Sequence, residues 1–527
     1  MKKAMKKLMA ALLVVAMVCA MAIPAFADTE SITEHHAFSA FQIFKGHVEG
    51  NKISNATWGN NITDPDDFLA KLKVAPTIGD QFTDAATVQD VLAVIGTWRN
   101  SDDNSIAFAR FVCSYLYPTA DADPKPAIPG HDTITIEEAG YYLIVDTTNF
   151  SVGDSYHAYN SFLLNVTQAP WNVKVTPKVE KPSVKKEVYD NQDGTSNEAG
   201  FGSSADHAIN EEFKFKLTAT LPASYDNDRA YDYYDKYAVS FNDTLSKGIT
   251  YDRIDKVVIE SNGNTYDITN DLSKYSVDTH FLESHNYFTV GIPDVKTCVP
   301  DLNKGSTITV TYIAHLNDKA AVNTASGSTE NKNSVQLQYS NNPKDSEAYW
   351  GFTPESAPES EVYVYTYQLN NTKYHDKAEA GNELPGAGFR LYSDKDCNNE
   401  IKLKKNEDGT YSRDFSTGAS GVEMISDNKG QFNVKGLDAG TYYLKETKTP
   451  ADYSPCDVAP VTIKANHTKE RVELDGSTLS TTIINNKSGI TLPSTGGIGT
   501  TLFYVIGGGL MVAATVLLIT KKRMENK

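Results

Sequence analysis

The sequence predicts a mainly β protein in which three immunoglobulin-like β-sandwich domains follow one another, the first with a helical insertion. Three observations predict this class. The 527 residues are enough for about three domains. Short alternating segments between Gly, Asn and Asp turns fill most of the chain, and proline-rich segments interrupt it twice. A signal helix at the amino end and a transmembrane helix at the carboxyl end complete the predicted architecture.

Residues 1–27 have the composition of a secretory signal peptide. Four of the first seven residues are lysines, and an apolar stretch runs from Leu8 to Ile23. Ala25-Phe26-Ala27 then offers the small residues that a signal peptidase needs. We therefore expect the exported chain to begin near Asp28.

The first domain, residues 28–172, mixes strand and helix patterns. Residues 37–44 read as a strand, and residues 141–146 and 161–166 as a closing strand pair. Between them, apolar residues recur at steps of three and four from Val88 to Trp98 and from Ile106 to Tyr115. This spacing predicts two helices inserted into a β-sandwich.

Two proline-marked boundaries separate the remaining domains. Residues 173–182 contain Pro177 and Pro182 without apolar periodicity, which indicates an extended connector. Residues 183–357 alternate between strands and turns, and this pattern predicts an all-β sandwich. Pro354 and Pro358 mark the next boundary, and residues 358–487 read as a smaller, turn-rich sandwich.

The carboxyl end, residues 488–527, combines three features. The pentapeptide Leu492, Pro493, Ser494, Thr495 and Gly496 precedes an uncharged run at 502–519, followed by basic residues at 521–523. Eighteen helical residues span roughly 27 Å, enough for a hydrocarbon core. The basic tail retains that end in the cytoplasm, so the rest of the chain lies outside the cell. A plain membrane anchor would leave the pentapeptide unexplained.

Composition and charge exclude several functions. The net charge of −18 disfavours binding to nucleic acid. Five cysteines are too scattered for a disulfide framework or a zinc motif, although Cys397 and Cys456 share a domain and could pair. Hydrolase motifs and clustered histidines are lacking, so the sequence predicts neither an enzyme nor a bound metal or other cofactor.

Alternation directs several polar residues towards the predicted cores. In the middle domain Lys186, Asp243 and Asn333 each share a strand face with large apolar side chains. In the third domain Glu446 shares a face with Tyr442 and Leu444. Because burying a charge without a partner is costly, these groups are expected to become neutral or to pair.

The third domain resembles the Cna B-type domains of Gram-positive surface proteins. The resemblance rests on residues 384–392 and 436–444 and on an E-box-like stretch at 442–453, in which Thr449 and Asp452 replace the usual alanine and glycine. It implies that Glu446 assists an isopeptide bond between Lys373 on the first strand and Asn486 on the last. Asn485 remains an alternative to Asn486.

The middle domain resembles the Cna A-type domain of backbone pilins at residues 182–188, 241–245 and 331–343. This resemblance implies a second bond, from Lys186 to Asn333, that Asp243 assists. In the first domain Val145 occupies the position that matches Glu446, so no bond is expected there.

The order of the carboxyl-terminal features is similar to a cell-wall sorting signal, which a sortase cleaves between Thr495 and Gly496. Together these features resemble a sortase-assembled backbone (major) pilin, the structural shaft subunit of a covalently polymerised pilus that supports adhesion. The stretch Trp171 to Lys178 is similar to a pilin motif, although it is two residues shorter and carries threonine for tyrosine. It implies that Lys178 joins Thr495 of the next subunit, with Lys181 and Lys174 as alternatives.

The resemblance also implies the partners. They are pilus-specific and housekeeping sortases, identical subunits, minor pilins, peptidoglycan and host surface ligands. A wall-anchored monomeric adhesin, or a minor pilin at the base or tip, uses the same domains and is the alternative function.

Overall fold

The computed structural model describes most of the three domains and one short terminal segment. The described residues are 38–50, 52–99, 103–116, 128–130, 133–146, 162–174, 182–191, 200–221, 231, 234, 236–282, 285–300, 302, 305–324, 330–340, 359–467, 472–488 and 510–522. The predicted signal peptide, Lys178, Lys181 and the pentapeptide at 492–496 lie outside them.

The described residues of the first domain form one main sheet, one small sheet and three α-helices. In order, its elements are β1 Phe38–Glu49, β2 Lys52–Trp58, α1 Pro65–Lys73, a 3₁₀ turn Gly79–Phe82, α2 Val88–Ile95, α3 Asp103–Leu116, β3 Ile128–Gly130, β4 Thr133–Ile136, β5 Gly140–Asp146, β6 Phe162–Val166 and β7 Trp171–Lys174. The main sheet has the order β2-β1-β5-β6, β3 also pairs with β1, and β4 pairs with β7.

The main sheet is buried on both faces, because alternate residues of β1 and β5 enter two different cores. Phe41 and Leu143 pack among the helices, whereas Ala40 and Ile144 pack against β4 and β7. The two predicted helices are confirmed as α2 and α3. α1 was not predicted from the sequence, although Asp64 caps its amino end and Pro65 occupies its first turn.

The predicted start of the connector at residue 173 is too early. Lys174 belongs to β7 and pairs with Thr133 of β4, and Val173 is buried. The first domain therefore extends through the end of β7.

The middle domain is a sandwich of two six-stranded sheets. Its elements are β8 Ser183–Asp190, β9 Gly200–Gly202, β10 Ser204–Asp206, β11 Glu212–Thr220, β12 Val239–Leu245, β13 Ile249–Ser261, β14 Asn264–Asp267, β15 Ser276–Leu282, β16 His285–Ile292, a 3₁₀ turn Val295–Thr297, β17 Thr307–Leu316, β18 Asn331–Tyr339 and β19 Glu359–Tyr365. The sheet orders are β10-β19-β18-β12-β16-β15 and β14-β13-β17-β11-β8-β9.

The predicted boundary at 357/358 differs from the observed one. β19 lies after that boundary, yet it pairs antiparallel with β18 and parallel with β10. The middle domain therefore ends at Tyr365, and only Thr366 separates β19 from the first strand of the third domain.

The third domain is a smaller sandwich of two five-stranded sheets. Its elements are β20 Tyr367–His375, β21 Gly388–Tyr392, β22 Glu400–Ile401, β23 Leu403–Lys405, β24 Tyr411–Arg413, β25 Met424–Ile425, β26 Val434–Leu437, β27 Gly440–Lys448, β28 Ala459–Ile463, β29 Ala465–His467, β30 Val472–Leu474, a 3₁₀ turn Gly476–Leu479 and β31 Ser480–Asn485. One sheet has the order β23-β24-β26-β20-β31; the other has β22-β21-β27-β28, with β25 on β21, and β29 and β30 form a separate pair. The first and last strands, β20 and β31, run parallel as neighbours.

The carboxyl-terminal helix covers residues 510–522. Within the described part of the chain, no helix combines the length and apolarity needed to cross a membrane. Residues 502–509 of the predicted span are outside that part. Cys397 and Cys456 are free thiols, as is Cys298.

Candidate functional site

The middle domain brings Lys186, Asp243 and Asn333 together between its two sheets. Lys186 lies on β8 in one sheet, and the other two lie on the neighbouring strands β12 and β18 of the opposite sheet. All three are buried, as their alternation with apolar residues predicts. The backbone N–H of Lys186 donates to Ser360 Oγ at 2.9 Å, which ties β8 to β19.

A fourth residue, Tyr312 on β17, joins these groups into one network. Lys186 Nζ donates to Asp243 Oδ2 and to the Tyr312 hydroxyl at 3.1 Å. That hydroxyl donates to Asp243 Oδ1 at 3.2 Å and accepts from Asn333 Nδ2 at 2.7 Å. Asn333 Oδ1 is buried and finds no hydrogen-bond partner among the described residues. The side-chain carbonyl oxygen of Asn333 therefore accepts no hydrogen bond from the described residues.

Burial shifts the lysine and the acid towards their neutral forms. It lowers the pKa of Lys186 to about 8, although the charge of Asp243 opposes the shift. It raises the pKa of Asp243 above its ordinary range, against the effect of Lys186. A neutral amine is nucleophilic and a protonated carboxyl can donate a hydrogen bond. Both properties favour attack on an amide carbon.

The third domain builds a comparable site on β20, β27 and β31. Lys373 lies on β20, opposite Ile483 of β31, and is fully buried. Glu446 lies on β27 opposite Phe389 and is partly buried. Because β20 and β31 are adjacent and parallel, residues near their carboxyl ends meet.

In this site the amide lies between the amine and the acid. Lys373 Nζ contacts Asn485 Oδ1 at 2.5 Å, and Asn485 Nδ2 donates to Glu446 Oε1 at 2.7 Å. The other carboxylate oxygen, Oε2, accepts from the backbone N–H of Cys456 at 2.9 Å. This contact orients Glu446 towards the amide nitrogen.

The sequence favoured Asn486 as the partner of Lys373, but the structure places the alternative, Asn485, in contact with the amine. Asn485 is buried with Ile483 on the inward face, whereas Asn486 is exposed. The backbone carbonyl of Asn486 accepts from Ser454 N at 2.9 Å. Strand alternation therefore points the Asn486 side chain away from Lys373.

The surroundings of Lys373 also favour the neutral amine. Burial lowers the pKa of this lysine, against opposing effects of Cys456 and Glu446. Its Nζ lies 5.5 Å from the centroid of the Phe389 ring. Burial also raises the pKa of the Cys456 thiol to about 11. The thiol is thus protonated at neutral pH.

Two functional residues were missed from the sequence. Tyr312 belongs to a strand in which Ile308, Val310 and Ala314 are also buried, so alternation alone could have identified it as inward-facing. Cys456 lies in an irregular stretch between β27 and β28, where no periodic signal exists.

Sequence comparisons identify two segments of the chain. Residues 370–478 match the SpaA family model, described as a prealbumin-like fold domain. Residues 484–526 match the LPXTG cell wall anchor motif. The chain is therefore a cell-wall-anchored surface protein with a prealbumin-like SpaA domain, and the anchor predicted from the pentapeptide, apolar run and basic tail is confirmed.

The predicted resemblance to backbone pilins is also confirmed by sequence similarity to a known surface protein. The chain is 24% identical over 374 residues to the trypsin-resistant surface T6 protein of Streptococcus pyogenes serotype M6. The alignment covers 60% of this chain and 65% of that relative.

Comparison with solved structures also finds backbone and major pilins. The T6 backbone pilin of S. pyogenes serotype M6 matches 86% of this chain and 96% of its own, with 16% identity and a TM-score of 0.45. The major pilin SpaD of Corynebacterium diphtheriae matches 88% of this chain and 95% of its own, with 17% identity and a TM-score of 0.42. Because both TM-scores lie below 0.5, only the sequence matches bear on the assignment.

Proposed function

We propose that this protein is the shaft subunit of a covalently polymerised cell-surface pilus, assembled by a sortase and attached to the cell wall. The observation that carries the proposal is that Asn485, at the start of the segment that matches the LPXTG anchor, contacts Lys373 and Glu446 in the segment that matches SpaA. A subunit that bears load along a fibre needs both an internal clamp and an end that can be joined to its neighbour.

The internal clamps are two isopeptide bonds, Lys186 to Asn333 and Lys373 to Asn485. In each, the neutral lysine Nζ attacks the Cγ of the asparagine side chain and forms a new C–N bond. The bond from Cγ to the amide nitrogen breaks, and that nitrogen leaves as ammonia with a proton relayed from the lysine through the acid. Asp243 and Glu446 serve as these acids. Fixed proximity makes the exchange effectively unimolecular.

The linkage between subunits uses Lys178 and Thr495. A sortase cleaves between Thr495 and Gly496 to form a threonyl acyl-enzyme, and the Lys178 amine of another subunit displaces the enzyme. Pro177 supports this choice because proline removes a backbone donor and favours an accessible, unpaired segment. Lys174 is a weaker candidate, since it lies on β7 with its backbone paired to Thr133.

Partners follow from the same proposal. A pilus-specific sortase joins identical subunits and minor pilins, and a housekeeping sortase transfers the finished fibre to peptidoglycan. Host surface ligands would contact the assembled fibre. Apart from the autocatalytic internal bonds, the chain is a sortase substrate and not an enzyme.

A blot of wall extracts tests polymerisation. The wild-type chain should give a ladder of high-mass species, and Lys178→Ala should abolish the ladder while leaving both internal bonds intact. Lys181→Ala and Lys174→Ala are matched controls that should retain the ladder. If the ladder survives Lys178→Ala but disappears in one of the controls, the lysine replaced in that control is the linkage site. If the ladder survives all three substitutions, the linkage site does not lie in the connector.

A wall-anchored adhesin or minor pilin is the alternative, and it is distinguished by the same blot. Such a protein would give a single wall-linked band in the wild-type strain, because it needs no linking lysine. That outcome would reject the shaft role while leaving the internal bonds testable by mass.

A further inference from the structure

The joint between the middle and third domains is tightly packed. The chain after β10 runs against the turn between β26 and β27, where Ile209 N donates to Gly436 O at 3.0 Å. Gly436 has φ +74°, and a Cβ there would lie 2.5 Å from Ile209 Cδ1. Only glycine fits this approach without strain. The two domains therefore meet in one fixed register at this point.

Three ligand-type side chains converge at that joint. His207 and Glu211 belong to the middle domain, and Asp438 belongs to the β26–β27 turn of the third. One potential ligand atom from each lies within 4.8 Å of the other two. His207 and Asp438 are buried and Glu211 is partly buried, so the cluster is not an ordinary solvated acidic surface.

The His207 ring is held with one nitrogen unused. Its Nε2–H donates to the Tyr189 carbonyl oxygen at 2.8 Å, which leaves Nδ1 with a lone pair. Nδ1 is buried and has no hydrogen-bond partner among the described residues. The ring stacks on Phe213 with centroids 4.1 Å apart. A buried nitrogen acceptor without a partner is costly, so a ligand bound at Nδ1 would remove this cost.

The arrangement matches the surroundings of a metal-binding histidine. Such histidines typically donate their second ring N–H to a backbone carbonyl, which fixes the tautomer and the ring orientation. The neutral ring is the form that binds a metal ion. On the carboxylate side, the Ala439 backbone N–H donates to Asp438 Oδ1 at 3.0 Å and Ala208 N–H donates to Glu211 Oε2 at 3.3 Å.

We propose that His207, Glu211 and Asp438 bind a divalent transition-metal ion of the Zn²⁺ class and thereby connect the middle and third domains. One imidazole nitrogen and two carboxylate oxygens are a ligand set that zinc accepts, with water in the fourth position. Calcium prefers a cage of oxygens alone, so the imidazole favours the transition metal. Because Asp438 is over two hundred residues from His207 in sequence, the ion would join parts of the chain that no short motif connects.

Zinc binding to the full chain tests this site. The chain is freed of metal with a chelator, incubated with ZnCl₂ and desalted, and bound zinc is measured by elemental analysis beside the thermal unfolding midpoint. The wild type should retain one ion per chain and unfold at a higher temperature with zinc. Asp438→Asn and Glu211→Gln should each weaken zinc binding at least tenfold and remove the thermal shift.

His315→Gln is a matched control. His315 lies in the same domain, but its Nδ1 is already 2.9 Å from Asp252 Oδ2, so its loss should leave zinc binding unchanged. If the buried Asp438→Asn variant fails to fold, the partly exposed Glu211→Gln decides alone. Absence of zinc from the folded wild type, equal retention by all variants, or preferential binding of Ca²⁺ would each overturn the proposal.

Discussion

The two lysine sites differ in which group the acid contacts. In the middle domain Asp243 contacts the amine of Lys186, and Asn333 donates a hydrogen bond to Tyr312. In the third domain the amide of Asn485 bridges the amine and the acid. In the third site the amide therefore contacts both the amine and the acid, whereas in the middle site Tyr312 links the amide to the amine and the acid.

The acids also differ in burial, and this difference determines how much stability each site would lose if one of its charged partners were removed. Asp243 is fully buried with Lys186, whereas Glu446 is only partly buried and is satisfied by the Cys456 backbone. Removing one partner of a buried pair leaves an uncompensated charge. Before the isopeptide bond forms, loss of one charged partner should therefore destabilise the middle domain more than the third domain.

The largest expected effect is that of removing the acids. Asp243→Ala and Glu446→Ala should each abolish one isopeptide bond, and each loss costs about 4–5 kcal/mol by analogy with a disulfide closing a loop of over a hundred residues. Asp243→Ala should cost a further 3–5 kcal/mol or so, because Lys186 is left buried without its partner.

Intact mass and thermal unfolding of the chain from Asp28 to Lys487 measure both effects. The wild type should weigh two ammonias less than its sequence, and each variant only one less. Glu260→Ala, an exposed acid on β13, is the control and should keep both bonds. A larger destabilisation by Glu446→Ala than by Asp243→Ala would refute the comparison of burial.

The next effect separates the two adjacent asparagines. Asn485→Ala should abolish the third-domain bond and cost about 4–5 kcal/mol. Asn486→Ala should change stability by no more than about 0.5 kcal/mol, since its side chain is exposed. Mass mapping of the peptide joined to Lys373 identifies directly which asparagine is crosslinked. A crosslink found on Asn486 would contradict the observed register.

A smaller effect concerns pH in the unbonded middle site. Asn333→Ala keeps Lys186 and Asp243 but cannot form the bond. The unfolded lysine holds its proton up to its usual pKa of 10.5, whereas folded Lys186 loses it above about 8. Between these values the unfolded state binds more protons, so raising the pH from 8 to 10 should increase the free energy of unfolding by roughly 2 kcal/mol.

Denaturant titration at each pH measures this increase. Adding Lys186→Met to Asn333→Ala should flatten the dependence, because the titrating amine is gone. An equally steep profile in the double variant would assign the effect to other groups.

The smallest effect is expected from Tyr312→Phe. Loss of its hydroxyl removes the link between Asn333 and Asp243, at a cost of about 1–2 kcal/mol. The middle bond should form more slowly or incompletely while the third-domain bond forms normally, which time-resolved mass analysis after synthesis would detect. Tyr251→Phe is the control, because the Tyr251 ring centroid lies 5.8 Å from that of Tyr312; it should leave the formation of both bonds unaffected. If Tyr312→Phe slowed both bonds equally, Tyr312 would not act on the middle-domain bond alone.

Alternation correctly predicted that Lys186, Asp243 and Asn333 are buried, because they lie in strands with clear apolar partners. It could not decide between Asn485 and Asn486, because Ile483 and Ile484 precede them and offer an apolar residue on either face. The domain boundary was misplaced for a different reason. Prolines marked it locally, whereas the pairing of β19 with β18 depends on contacts made across the sheet.

The cluster of His207, Glu211 and Asp438 lay beyond what the sequence could predict. The sequence predicted no metal site because it contains no motif with closely spaced ligands. Here the ligand-type residues come from two domains and meet only when those domains pack. The residue pattern of one segment does not predict which residues of another domain will lie beside it.

The single-residue link at Thr366 has a consequence for proteolysis. Thr366 is fully buried, its carbonyl accepts from Asn323 N at 2.8 Å, and its hydroxyl donates to Leu437 O at 3.1 Å. Proteases cut where a segment of backbone is exposed and can detach locally from the fold, and this link offers neither property. The middle and third domains should therefore resist separation by proteases and be released from a digested cell surface as one fragment.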